Sequence, residues 1–156
     1  MLRRVLLLLA LALGAGWAQQ YDGPRPALPD LPYLKHASNL IPTEATEAKE
    51  EKRKGDTLYV IDGAASTAKT PMALPVFLMK AGKIAPDRLQ LYRLESKEGH
   101  REILFGAKKG PAALHMEVRK LSADGIYRIE VEDELDPGEY SLSPEGSNQA
   151  FCFQVY

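Results

Sequence analysis

Cysteine is nearly absent from this chain of 156 residues, whose only thiol belongs to Cys152. One cysteine forms no internal disulfide, and without a CxxC pair the chain has no redox dithiol. We expect this thiol to be protected by burial, as unpaired cysteines in oxidising compartments usually are. The sequence also lacks a GxSxG elbow, a P-loop and the glycine pattern of dinucleotide-binding proteins, so the usual signatures of three large enzyme classes are missing.

The chain also lacks a large excess of either charge, because it contains 20 Lys and Arg residues and 21 Asp and Glu residues. The basic side chains of residues 49–54 are interleaved with acidic ones, so no nucleic-acid or lipid-headgroup patch is predicted. The three histidines, His36, His100 and His115, show no metal-ligand spacing such as HExxH. No metal or other cofactor is therefore predicted.

The N-terminus has the three parts of a secretory signal peptide. Arg3 and Arg4 give a basic start, residues 5–13 form an apolar run, and Gly16 and Ala18 place small residues at positions −3 and −1 of a cleavage site. We predict removal of residues 1–18 and export to the periplasm or the extracellular space. The apolar run is too short for a permanent membrane span, and no cysteine stands at the cleavage point for lipid attachment, so no membrane anchor is expected after cleavage.

Composition divides the rest of the chain into two regions. Residues 19–56 begin with five prolines that favour extended backbone, and we predict a Pro-rich arm there. Residues 44–54 contain strong helix formers but precede a Gly-Asp turn signal, so a short helix and the first arm of a hairpin are both open. Residues 57–156 are predicted to form the folded domain, with 45% of the whole chain hydrophobic and enough apolar surface for one core.

The pattern after residue 57 is that of short strands separated by turn residues. In residues 114–118, Leu, Met and Val alternate with His and Glu, which is typical of a strand that is wet on one face. We predict an all-β fold of antiparallel sheets, with a sandwich favoured over a closed barrel. The predicted strands lie near residues 58–61, 74–79, 89–94, 101–105, 114–118, 126–132, 139–142 and 151–155.

The segment from Leu135 to Tyr140, LDPGEY, resembles the tyrosine corner of Greek-key β-sandwiches, and similar LxPGxY segments occur in bacterial exported immunoglobulin-like modules. The resemblance implies an immunoglobulin-like Greek-key sandwich of about seven to eight strands, with residues 139–142 as strand F and residues 151–155 as strand G. It also implies structural roles. Pro137 and Gly138 make the turn, Leu135 fills the core, and the Tyr140 hydroxyl bonds back to the backbone.

Three further features are candidate sites of chemistry: Ser66, an acidic cluster and a set of strand aromatics. Ser66 follows a predicted strand among small residues, which is more typical of a loop than of a nucleophile. A dense acidic cluster would suit Ca²⁺ or a glycosidase pair, although alternation places two of its members on a solvent face. Strand aromatics are mostly expected in the core, but an exposed row of tyrosines would suit a sugar-binding platform. The acidic cluster is Glu130, Glu132, Asp133, Glu134 and Asp136, and the aromatics are Tyr92, Tyr127, Tyr140, Phe151 and Phe153.

These patterns favour an exported, non-catalytic binding or structural module whose partner is another envelope protein or a cell-surface polymer. The alternative is a small hydrolase or a carbohydrate-binding module that uses the acidic cluster and the strand aromatics. A concave pocket in which at least two carboxylates converge would favour the enzyme.

Overall fold

The computed structural model describes residues 20–156, so the predicted signal peptide, residues 1–18, lies outside the described residues. Within this part the regular structure is all β, as predicted, apart from one 3₁₀ turn at Pro86–Arg88. None of its helices is long and apolar enough to cross a membrane. In chain order the strands are β1 (Tyr33–His36), β2 (Asn39–Pro42), β3 (Glu44–Glu47), β4 (Lys49–Arg53), β5 (Asp56–Asp62), β6 (Lys69–Thr70), β7 (Val76–Lys80), β8 (Leu89–Lys97), β9 (His100–Phe105), β10 (Met116–Lys120), β11 (Ile126–Val131), β12 (Gly138–Pro144) and β13 (Gln149–Val155).

Two sheets contain these strands. The smaller sheet has the order β10-β11-β7-β1-β2, and the larger has the order β3-β13-β12-β8-β9-β5-β4. Neighbouring strands along both orders are antiparallel, and β6 lies off the path, where it pairs in parallel with β13. All eight strands predicted after residue 57 are present. The sequence missed the two-residue β6, and both β7 and β10 begin two residues later than predicted.

The main core lies between the smaller sheet and β13, β12 and the first part of β8. Phe77 of β7 meets Phe153 of β13 edge to face at 5.0 Å between ring centroids, and the Tyr140 ring stacks on Phe153 at 5.6 Å. Leu34 is fully buried and Leu135 nearly so in the same cluster. This packing of one antiparallel sheet on another is consistent with the predicted sandwich.

The larger sheet consists of two halves that face each other. The first half contains β3, β13, β12 and residues 89–94 of β8, and the second half contains residues 95–97 of β8 with β9, β5 and β4. β8 pairs with β12 through residues 89–94 and with β9 only through residues 95–97, so it passes from the first half to the second. The chain makes the same passage at Ala48, because β3 pairs with β13 whereas β4 pairs with β5. The first half is therefore covered on both sides, by the smaller sheet and by the second half.

This double covering explains why β13 does not alternate between buried and exposed positions. Phe151 and Phe153 face the main core, while Ala150 and Cys152 pack with Ile61 of β5 in a second cluster. The predicted burial of the thiol is confirmed, since Cys152 has no exposed surface. The second half of the larger sheet provides the cover that strict alternation alone did not predict.

The segment expected to be an arm contributes strands to both sheets, among them the edge strands β2, β3 and β4. Strand β1 pairs with β7 in the smaller sheet, and β3 pairs with β13 in the larger. The carboxylate of Asp30 accepts hydrogen bonds from three backbone N–H groups, those of residues 82–84, which fastens the chain before β1. The helical alternative for residues 44–54 is wrong. The second part of this segment, β4, is the first arm of a hairpin with β5. The two turn residues of the hairpin, Lys54 and Gly55, both have positive φ.

Candidate functional site

A cavity of about 270 Å³ lies between the two halves of the larger sheet, where β8 and β9 separate. Residues 95–97 of β8 pair with β9, but residues 103–105 of β9 pair only with β5. The two strands diverge beyond that point and leave a space. Its volume is close to the lower limit of small-molecule sites, roughly 300 Å³, so it suits a group the size of one ring.

Three aromatic rings line the cavity, with Tyr59 and Phe105 on the second half and Tyr92 on the first half. Alternation along β5, β8 and β9 turns Tyr59, Tyr92 and Phe105 into the space between the halves. The rings of Tyr59 and Phe105 are 5.3 Å apart at an interplanar angle of 82°, and those of Tyr92 and Phe105 are 5.4 Å apart at 75°. Both tyrosine rings thus stand nearly perpendicular to Phe105 and make an aromatic corner.

Polar side chains of β8 and β12 lie beside Tyr92 on the first half and face Tyr59 and Phe105. The Tyr92 hydroxyl donates to the Gln90 carbonyl oxygen at 2.8 Å, and the hydroxyls of Ser141 and Ser143 are 2.8 Å apart. Burial, with a smaller contribution from the charge of Glu145, raises the pKa of Tyr92. The phenol therefore remains a hydrogen-bond donor at neutral pH.

The cavity lining carries little net charge. Among the described residues that line it, Glu50 is the only charged one. Its carboxylate lies 2.7 Å from the Lys52 ammonium, and hydrogen bonds from Lys52 and then Asn148 lower the pKa of Glu50. The carboxylate is therefore ionised at neutral pH, and Lys52 balances its charge.

A buried polar network near Cys152 joins the two halves around Arg101, whose side chain is only 1% exposed. Its guanidinium donates to Glu44 at 2.6 Å and to the Ser66 hydroxyl at 2.7 Å, and two backbone carbonyls accept further N–H bonds. Ser66 in turn donates from its hydroxyl to Glu139 at 2.5 Å. These bonds satisfy the buried charges, which would be costly without partners.

Ser66 does not have the environment of a nucleophile. Ser66 is 2% exposed, its hydroxyl donates to a carboxylate and accepts from Arg101, and no histidine is among these hydrogen-bond partners. The side chain ties a loop to β12, in agreement with the loop interpretation of the sequence.

The three histidines lie apart, each with its own partner. His36 bonds to Thr70, His100 to Glu102 on its own strand, and His115 to Asp133. In residues 20–156 no three metal-ligating side chains come together.

The acidic cluster of the sequence is also dispersed. Glu130 bonds to Arg128 and lies 3.3 Å from Arg119; these contacts, that with Arg128 above all, lower the pKa of Glu130. Asp133 accepts from the backbone N–H and ring of His115. Glu132, Glu134 and Asp136 are exposed. The structure thus gives Glu130 and Asp133 separate partners and leaves the other three carboxylates exposed, so the five form no common site.

The residues of the LxPGxY segment lie away from the cavity and hold the turn into β12. The Tyr140 hydroxyl donates to the Asp136 carbonyl at 2.7 Å, four residues upstream. Arg93 donates to the same hydroxyl at 2.7 Å and to the Pro137 carbonyl at 3.0 Å. A Cβ on Gly138 would lie 2.8 Å from this guanidinium, so a larger residue there would displace the Arg93 side chain.

Of the five strand aromatics named from the sequence, only Tyr92 lines the cavity; Tyr140, Phe151 and Phe153 belong to the main core. Sequence reasoning missed Tyr59, Gln90 and Phe105. Alternation already placed Gln90 and Tyr92 on one face of β8, but the partner strands that bring Tyr59 and Phe105 opposite them were not evident.

No family model matches the chain, and neither a curated protein nor a solved structure matches it. The function is therefore inferred from the geometry of the cavity.

Proposed function

We propose that this chain is an exported, non-catalytic binding module that receives its ligand, a group on a cell-surface polymer or on another envelope protein, in the cavity between the two halves. The observation that carries this proposal is the composition of the cavity wall. It combines three aromatic rings with amide and hydroxyl groups, as small-molecule sites do. One carboxylate, already paired with Lys52, is its only charge among the described residues.

An immunoglobulin-like fold is part of the proposal. The order β1-β7-β11-β10 corresponds to strands A-B-E-D of such domains, and β8-β12-β13 corresponds to C-F-G. Under this assignment β3 is an addition that extends the C-F-G layer beside β13, and β4, β5 and β9 are additions that cover the outer face of this layer. The cavity then lies between a common scaffold and its added cover, which is where a specific binding site is expected.

The hydrolase alternative has less support. A second, more open depression of about 450 Å³ is lined by Glu95 and Glu139, which makes it the nearest approach to a carboxylate pair. However, Glu139 is 4% exposed and accepts hydrogen bonds from the backbone and the hydroxyl of Ser66, and Glu95 lies 3.0 Å from Lys97. Both carboxylates thus already have partners within the protein, so the depression offers no unpartnered carboxylate pair.

The test compares a variant with a new aromatic ring inside the cavity with a variant that carries the same new ring outside it. The mature chain is immobilised and exposed to fractionated envelope extract, with Ser143→Phe placing a ring inside the cavity. Ser38→Phe is the matched control, because Ser38 is exposed in the turn between β1 and β2.

We expect the wild type and the control to retain the same component and Ser143→Phe to retain about tenfold less of it. Equal retention by both variants would contradict binding in the cavity. Chemical conversion of the retained component would contradict a non-catalytic role.

A further inference from the structure

We propose that the ligand of the cavity is a neutral saccharide, of which one sugar ring enters the aromatic corner of Tyr59, Tyr92 and Phe105. This inference rests on the proposed function and adds the chemical class of the ligand. Its first support is the angle between the rings. A flat base or aromatic ligand is best held between parallel faces, whereas these walls meet at 75° and 82°.

A puckered sugar ring fits such a corner. Its C–H groups carry a small positive charge and pack against the negative faces of aromatic rings, and they point in several directions around the ring. Perpendicular walls therefore contact two sides of the same sugar at once. The volume of about 270 Å³ accommodates a single ring of this kind.

The polar side of the cavity matches sugar hydroxyls, each of which donates and accepts a hydrogen bond. The hydroxyls of Ser141 and Ser143 have the same double capacity. Gln90 accepts from Tyr92 through its oxygen, and its amide nitrogen donates to no described residue, so it is available to a ligand oxygen. Asn148 adds a second amide at the cavity edge.

The charges at the cavity favour a neutral sugar over a charged ligand. No lysine or arginine of the described residues lines the wall, so a phosphate or a sugar acid would lose its hydration without gaining a cation. An organic cation would find aromatic faces. However, the only carboxylate on the wall, Glu50, is already paired with Lys52 at 2.7 Å.

The experiment is a titration of the mature chain followed by amide chemical shifts in NMR. The probes are the neutral methyl glycosides of glucose, galactose, mannose and N-acetylglucosamine. The comparison ligands are choline, as an organic cation, and thymine, as a flat base. Tyr92→Ala removes one wall of the corner and Gln90→Ala removes the amide, while Tyr156→Ala removes an exposed tyrosine outside the cavity.

We expect at least one glycoside to shift the signals around Gln90, Tyr92 and Asn148. Its affinity should fall roughly tenfold or more in Tyr92→Ala and in Gln90→Ala and stay unchanged in Tyr156→Ala. Tyr92→Phe keeps the ring and controls for misfolding of Tyr92→Ala. It should bind the glycoside better than Tyr92→Ala does.

If choline or thymine binds in the cavity and no glycoside does, the saccharide assignment is wrong. The same holds if no probe binds while Ser143→Phe still abolishes retention of an envelope component; the proposed function then survives. If Ser143→Phe retains the envelope component as well as the wild type does, both the saccharide assignment and the proposed function are wrong.

Discussion

Replacement of Arg101 by methionine tests whether the buried network holds the two halves of the larger sheet together. The arginine belongs to β9 in the second half, and its partners Glu44 and Glu139 belong to strands β3 and β12 of the first half. Methionine has a similar length and no charge, so it fills much of the space but donates no hydrogen bond. The change therefore removes the cation and leaves two carboxylates behind.

The loss in the free energy of unfolding depends on the hydrogen bonds that these two carboxylates retain. Breaking a buried ion pair by removing one partner typically costs about 3–5 kcal/mol. Glu139 keeps its bonds from Ser66, and the Glu44 side chain is 18% exposed and keeps its bond from the Thr67 N–H group. We therefore expect the lower end, about 3 kcal/mol. That loss is a large part of a typical total stability of about 5–15 kcal/mol and lowers the melting temperature by roughly 10 °C.

The assay is urea unfolding of the mature chain. Arg119→Met serves as the control, because Arg119 is exposed on β10 and should cost about 0.5 kcal/mol or less. Adding Glu139→Gln to Arg101→Met should recover part of the loss, since an unpaired amide is less costly to bury than a charge. A loss below about 1 kcal/mol in Arg101→Met, or no recovery in the double variant, would refute this reasoning.

Three other outcomes are expected. Tyr140→Phe should lower the free energy of unfolding by about 1 kcal/mol, because the Asp136 carbonyl and Arg93 lose a partner; unchanged stability in a denaturation curve would count against the corner. Burial raises the pKa of Cys152 to about 12 from its ordinary 9.0, so the native thiol should resist labelling at pH 8 and react only after unfolding. Because only the unfolded thiol ionises between these values, stability should also fall with rising pH above about 9, and Cys152→Ala should flatten this slope. Mass spectrometry of the exported protein should show a new N-terminus after Ala18, and an intact Met1 would disprove cleavage.

The strands after residue 57 were predictable because one face of each is wet or because turn residues bound them. In β10, Met116 and Val118 are partly buried while Glu117 and Arg119 are exposed, as alternation requires. Local patterns fail where a layer is covered on both sides. In β13 four consecutive residues from Ala150 are buried, and no short-range pattern shows what covers Cys152.

The cavity escaped prediction for a similar reason. Its rings come from three strands, and Tyr59 meets Phe105 only because β5 pairs with β9 in a particular register. Residues 44–53 were ambiguous because their charged side chains suit an exposed strand as well as a helix. Pairing of β4 with β5, a hairpin contact, decides between the two. The tyrosine corner is the opposite case. It was predictable because its defining hydrogen bond, from Tyr140 to the Asp136 carbonyl, spans only four residues.

Ligand protection of a thiol placed in the cavity tests the central claim most directly. Ser143→Cys puts a reactive group on the cavity wall, while buried Cys152 contributes no background. The variant is labelled with a thiol reagent in the presence and absence of the envelope component that the wild type retains. Binding in the cavity predicts that the bound component slows labelling in proportion to its occupancy. An equal labelling rate with the component bound would show that the ligand site lies elsewhere.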